Sequence, residues 1–118
     1  MNLGIYQIDA FTTEIFKGNP AGVCVLDEPL ADHLYQQIAA EMNLSETAFA
    51  IATQDEGVYD LRWFTPEVEV PLCGHGTLSA SFVLAQNYCD RKELTFRTQS
   101  GILKAFCDGN RITLEFPL

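Results

Sequence analysis

Gly74-His75-Gly76-Thr77-Leu78-Ser79-Ala80-Ser81-Phe82-Val83-Leu84-Ala85-Gln86-Asn87 is the stretch on which the fold turns. It holds no charged side chain, and Leu78, Phe82, Val83, Leu84 and Ala85 cover most of a helix's circumference. A helix apolar all round has to be surrounded by protein rather than laid on a surface. It falls short of the roughly 20 residues needed to cross a bilayer. The rest of the chain must therefore supply a wall around it.

The flanking sequence reads as that wall. Residues 3–10 (LGIYQIDA) and 21–26 (AGVCVL) have the composition of strands and are separated by a loop at Gly18-Asn19-Pro20. Residues 31–42 space Leu34, Ile38, Ala39 and Met42 on one face, with Pro29 just ahead, and predict an amphipathic helix. Residues 47–52 and 59–64, bracketed by Asp55-Glu56-Gly57 and Pro66, predict a hairpin. Three further strands are expected over 93–98, 101–106 and 111–116, turned at Ser100-Gly101 and Asp108-Gly109-Asn110. The sum is an α+β domain spanning 1–118. Some seven strands, mostly antiparallel, roll into an open barrel around the central buried helix. The first helix covers an outer surface or a gap in the sheet.

Composition narrows the partners. The 118 residues, 47% hydrophobic, suffice for one domain with its own core. Seven basic residues against 16 acidic ones give a net charge of -9, and no basic run occurs. Nucleic-acid binders displace counterions with clustered Lys and Arg, so no such partner is expected, and no membrane. Residues 1–9 lack a basic stretch followed by an apolar one, so no secretory signal is expected. Four cysteines (Cys24, Cys73, Cys89, Cys107) then suggest a reducing cytoplasm where thiols stay free.

Chemistry concentrates where the central helix begins. Residues 66–77 read PEVEVPLCGHGT; Pro71 keeps the chain extended, and Gly74 and Gly76 leave the backbone unshielded. First-turn amides lack partners within the helix, and the dipole adds about half a positive charge there. That suits a carboxylate, with the Thr77 hydroxyl as a further donor. The same glycines also suit a tight turn with no ligand at all. Cys73 is expected to have its thiolate stabilised and its pKa lowered below about 8.5, as a general base taking a proton from carbon. His75 can orient a carboxylate or carry a proton, or simply satisfy a bond near the cap. Glu46, between the amphipathic helix and an apolar strand, suits a proton shuttle; a solvated turn glutamate is the alternative. Cys-x-His at 73–75 has no matching cysteine pair, so no metal is expected. No nucleotide or flavin motif is visible, so no cofactor is expected either.

Four stretches carry a family resemblance. They are Asp9-Ala10-Phe11-Thr12 followed by Gly18-Asn19-Pro20-Ala21; Glu41-Met42-Asn43-Leu44-Ser45-Glu46-Thr47-Ala48-Phe49; Arg62-Trp63-Phe64-Thr65-Pro66; and Leu72-Cys73-Gly74-His75-Gly76-Thr77. In this order, over nearly the whole chain, they resemble the phenazine-biosynthesis (PhzF-like) isomerases. The resemblance implies a diaminopimelate-epimerase-like fold of two similar lobes, with the active site in the cleft between them. This chain would be the N-terminal lobe. Glu46 matches the family's acid/base glutamate, and Gly74 and His75 match cleft residues beside a substrate whose carboxylate the helix amides hold. By similarity to the epimerases, Asn19 also faces the cleft and Cys73 matches their catalytic thiol. The phenazine enzyme itself lacks a cysteine there, so single-base isomerisation and two-sided racemisation both stay open.

The family's second lobe brings a D-x-A-T-G-S-A type motif that this sequence does not contain. The resemblance therefore implies a separate second-lobe chain, or a second copy of this one, as partner. Little activity is expected from one lobe alone, and the expected substrate is a small carboxylate or amino-acid-like molecule. A non-catalytic anion-binding or protein-interaction module, or an inert truncated fragment, is the alternative.

Overall fold

The computed structural model describes residues 3–8, 20–109 and 111–117. The elements run β1 (Leu3–Ile8), β2 (Ala21–Leu26), α1 (Asp32–Met42), β3 (Glu46–Ala52), β4 (Val58–Phe64), β5 (Glu69–Val70), α2 (Gly74–Asn87), β6 (Glu93–Thr98), β7 (Gly101–Asp108) and β8 (Arg111–Glu115). The last two residues of the strand expected over 3–10, together with Asn19 and Asn110, lie outside the described residues.

One sheet holds the strands in the order β1-β2-β3-β4-β6-β7-β8, with β5 attached to β4. Pairing is antiparallel for β1–β2, β3–β4, β4–β5, β6–β7 and β7–β8, and parallel for β2–β3 and β4–β6. Parallel neighbours cannot be joined by a hairpin, and the helices are the crossovers: α1 links β2 to β3, and α2 lies between β4 and β6. β1 and β8 are the two ends of the order, so the sheet is curled but open.

Side-chain alternation then builds two cores from the same strands. Val23, Val25, Ala48 and Ala50 join the cluster of Ala80, Val83 and Leu84 on α2. Cys24, Leu26, Phe49 and Ile51 join Tyr35 and Ala39 of α1 on the opposite face. On β2 and β3 the inner residues, Val23, Val25, Ala48 and Ala50, are smaller than Leu26, Phe49 and Ile51 on the outer face, and there α2 can approach closely. α1 covers the outer surface, as its one-sided apolar pattern predicts. No helix among the described residues is long and apolar enough to cross a membrane.

The circumferential burial expected for α2 is only partial. Its buried face is Gly76, Thr77, Ser79, Ala80, Ser81, Val83 and Leu84, whereas Phe82 is 37% exposed and Leu78 half-buried. Close helix–sheet packing favours small residues, and the hydroxyls of Ser81 and Thr77 are internally satisfied by donating to the carbonyls of Thr77 and Cys73, each at 2.7 Å. Bulky apolar side chains are left on the side that the open sheet does not reach.

Candidate active site

α2 begins at a built cap. Cys73, extended at φ -145° and ψ 103°, is the N-cap, and its Sγ accepts the amide of Gly76 at 3.2 Å. Its carbonyl accepts both the amide of Thr77 (3.0 Å) and the Thr77 hydroxyl (2.7 Å). The approach to this cap is fixed by β5, where Val70 pairs with Trp63, and by Ser100, whose hydroxyl donates to the Pro71 carbonyl at 2.6 Å.

Glu46 reaches the same place from the other side. α1 ends at Asn43, which adopts a left-handed conformation (φ 52°), and the chain turns directly into β3 with Glu46 as its first residue. Pairing of Ala21 with Glu46 and of Ala48 with Trp63 puts that strand end beside the start of α2. His75 Nδ1 donates to Glu46 Oε1 at 2.8 Å, and the two side chains are only 11% and 19% exposed. The alternative of a solvated turn glutamate is set aside by that contact. Cys73 adjoins the pair, near enough for the Glu46 carboxylate to raise its pKa. Glu46, Cys73 and His75, separate in sequence, are thus one cluster.

Three expectations are corrected. Burial, the largest influence, pushes the Cys73 thiol up to about 11 instead of below its usual value, and the Glu46 carboxylate adds to the rise. The Gly76 amide opposes the shift without overcoming it. Thr77 has no hydroxyl to offer a ligand: it is fully buried, donates to Cys73 O and accepts from Trp63 Nε1 at 3.1 Å. Gly76 does not present an unshielded backbone either. It is buried, its amide is taken by Cys73 Sγ, and a Cβ there would lie 2.8 Å from Trp63 Cδ1. Gly74 is the open glycine; a Cβ on it would meet nothing nearer than Phe116 Cζ at 3.7 Å. Asn19 lies outside the described residues.

Two features escaped the sequence reading. Trp63 closes the cap from below, its indole N–H donating to Thr77 Oγ1. Leu72 and Phe116, the latter 41% exposed, form an apolar rim beside Cys73 and Gly74. A cavity of about 420 Å³ opens elsewhere, around Asp32, Asp60, Arg62, Glu69 and Arg97. Its guanidiniums are already held by carboxylates, Arg62 by Glu69 and Asp32 at 2.8 Å and Arg97 by Asp60 at 2.6 Å. That leaves little attraction for an anionic ligand, and the size of this cavity carries less weight than the chemistry gathered at the start of α2.

Comparison with known proteins bears on the family and the fold. Residues 8–116 match the PhzC-PhzF family model, described as phenazine biosynthesis-like protein. A protein of Halalkalibacterium halodurans named as an uncharacterized isomerase is 50% identical over 119 residues, covering 99% of this chain and 44% of that protein. Among solved structures, a PhzF-family phenazine biosynthesis protein of Enterococcus faecalis matches with a TM-score of 0.83 and 46% identity, covering 95% of this chain and 43% of that one. A Pseudomonas aeruginosa protein described as a predicted epimerase matches with a TM-score of 0.68 and 27% identity, covering 92% of this chain and 40% of that one. The chain therefore spans less than half the length of these relatives. With its curled sheet around α2 and a family match over nearly its whole length, the chain belongs to the PhzC-PhzF family of phenazine biosynthesis-like proteins.

Proposed function

We propose that the chain is the N-terminal lobe of an isomerase that moves a proton on carbon in a small carboxylic or amino acid, without a cofactor. One observation carries the reading: Glu46 and His75 meet at 2.8 Å where α2 begins, with Cys73 alongside. The names of the relatives, isomerase and epimerase, support the same chemistry. On this reading the Glu46 carboxylate takes a proton from the substrate carbon. The electron pair of the broken C–H bond passes into the adjoining π system, and the proton returns at another carbon or another face, so atoms balance. His75, donating to the same carboxylate, fixes the oxygen that faces the substrate. Cys73, protonated at neutral pH, is not the base; where it gives the returning proton, the protonated Glu46 beside it hands its proton to the thiolate, so both groups end as they began. The substrate carboxylate lies by Gly74 at the positive end of α2.

Proton transfer between two faces needs groups on both sides of the substrate, and a single-base shift on one face still needs a cover that keeps water out. A second-lobe chain, or a second copy of this one, therefore closes the site. The exposed apolar side chains of Leu72, Phe82 and Phe116 support such a cover. The test pairs the chain with a second-lobe partner in deuterated water and screens small amino and dienoic acids by mass. Deuterium incorporation is expected, and Glu46→Gln removes it. Carboxylate binding that persists in Glu46→Gln, with no exchange in either protein, identifies a non-catalytic module instead. Exchange by the single lobe alone removes the partner from the proposal.

A further inference from the structure

The cap of α2 is tied to the sheet by a buried chain of hydrogen bonds. Trp63 Nε1 donates to Thr77 Oγ1 at 3.1 Å, and that hydroxyl donates to Cys73 O at 2.7 Å. Trp63 is 1% exposed and Thr77 0%, so the indole N–H cannot turn to water and has to find an acceptor inside. A threonine bonding back to the carbonyl four residues earlier is by itself a local habit of helices. Here the chain of bonds does not end on the helix. It ends on β4, at a residue whose pairing partners are Ala48 on β3, two positions after Glu46, and Val70 on β5, three before Cys73. One indole therefore touches the frame of every segment that delivers a member of the cluster. The contact requires glycine at 76, since any Cβ would collide with the indole edge at 2.8 Å.

A residue that only filled the core would need no N–H, and a threonine that only capped the helix would need no indole. We propose that Trp63 and Thr77 are positioning residues, which hold the Cys73 cap in the register that sets its sulfur against Glu46 and the Gly76 amide. The role matters to catalysis only if the proton-transfer reading of Cys73 and Glu46 holds, but the brace itself does not depend on it.

The test reads the thiol and needs no substrate. The intact chain is alkylated with iodoacetamide across a pH series, and each cysteine peptide is quantified by mass spectrometry. In the native chain burial pushes the Cys73 thiol up to about 11, where its alkylation midpoint is expected, and fully buried Cys24 serves as an internal marker of global unfolding. Thr77→Val and Trp63→Phe cut the chain of bonds, let the cap fray and bring the thiol toward solvent. The Cys73 midpoint is expected to fall toward the free value of about 8.5, speeding alkylation near neutral pH about tenfold or more while Cys24 stays protected. Thr77→Ser keeps the hydroxyl and is expected to restore the native profile. An unchanged Cys73 midpoint in both cutting variants overturns the proposal, and so does a Thr77→Ser variant that behaves like Thr77→Val. If Thr77→Val exposes Cys24, Trp63→Phe, which keeps an aromatic ring in the core, decides alone. A shifted midpoint in a paired protein that exchanges no deuterium upholds the brace and removes the catalytic reading. An unshifted midpoint in a protein that does exchange deuterium does the reverse.

Discussion

The two glycines of Gly74-His75-Gly76 look equivalent in sequence, yet their alanine variants should move stability in opposite directions. A Cβ on Gly76 would sit 2.8 Å from Trp63 Cδ1 and 3.3 Å from Cys73 Sγ, whereas real Cβ contacts essentially never fall under 3.0 Å. Trp63 cannot yield easily, being fully packed and fixed by its bond to Thr77. Overpacking of this kind costs about 1–3 kcal/mol. Replacing a helical glycine by alanine offsets that by about 0.8–1.0 kcal/mol. Gly76→Ala is therefore destabilised by up to about 2 kcal/mol once the two effects are combined. At Gly74 the nearest atom would be Phe116 Cζ at 3.7 Å, an ordinary contact with an exposed ring. Neither glycine has a positive φ, so Gly74→Ala is expected to be neutral or stabilising by up to about 1 kcal/mol. Urea titrations followed by fluorescence and far-ultraviolet dichroism measure both. The double variant Gly76→Ala with Trp63→Phe removes the indole edge and should be less destabilised than the two single effects added. A Gly76→Ala variant more stable than the native chain would refute the packing argument, and strict additivity would place the clash elsewhere.

Two further outcomes follow from burial. Ser79 Oγ is fully buried without a hydrogen-bond partner, and such a group costs about 1–3 kcal/mol. Ser79→Ala should then raise the unfolding free energy by about 1 kcal/mol, and a loss of stability in the same titration would contradict it. Burial also pushes Cys24 up to about 12 and Cys73 up to about 11, from 9.0. A raised thiol pKa means that the folded state holds the proton more tightly. The stabilisation is complete below pH 9 and drains away as pH rises toward 11 and 12. Unfolding free energies measured across that window should decline, and Cys24→Ala should flatten the decline. An unaltered slope would show that other groups govern alkaline stability.

Most of the fold was legible because strong local signals coincide with elements. The Gly74–Asn87 helix, the Ala21–Leu26 strand and the Glu93–Thr98 strand occur where the pattern predicts them. Turns at Asp55-Glu56-Gly57 and Asp108-Gly109 punctuate them. The two-residue strand β5 carries no such signal, since it exists only through pairing with Trp63 and Phe64. Hydropathy also misjudged which side of α2 faces the sheet. Thr77, Ser79 and Ser81 count as polar on any scale, yet they are small enough for close packing, while Leu78 and Phe82 are left outside. At the site, the residue types were readable and their alliances were not. Nothing in the spacing of Glu46 and His75 announces a 2.8 Å contact, because it depends on where β3 starts relative to α2. The indole–threonine–carbonyl chain is likewise a product of register, since Trp63 lies opposite both Ala48 and Val70.

The Cys73 reversal shows which physical effect wins at a helix start. Amides and dipole favour a thiolate, and the Gly76 amide does pull the pKa down. The sulfur, however, is withdrawn from water and placed against a carboxylate, and both effects favour the neutral thiol. The same geometry links ligand binding to the proton. The Gly76 amide is committed to sulfur, so an incoming carboxylate has to displace Sγ as acceptor or dock further out by Gly74. If it displaces Sγ, the thiolate loses the donor that stabilised it, and the thiol keeps its proton more firmly. An outer docking position leaves the thiol as it is, apart from added negative charge, which again favours the proton. By either route, binding of an anion keeps Cys73 in its thiol form, which under the proposed reading leaves Glu46 as the base.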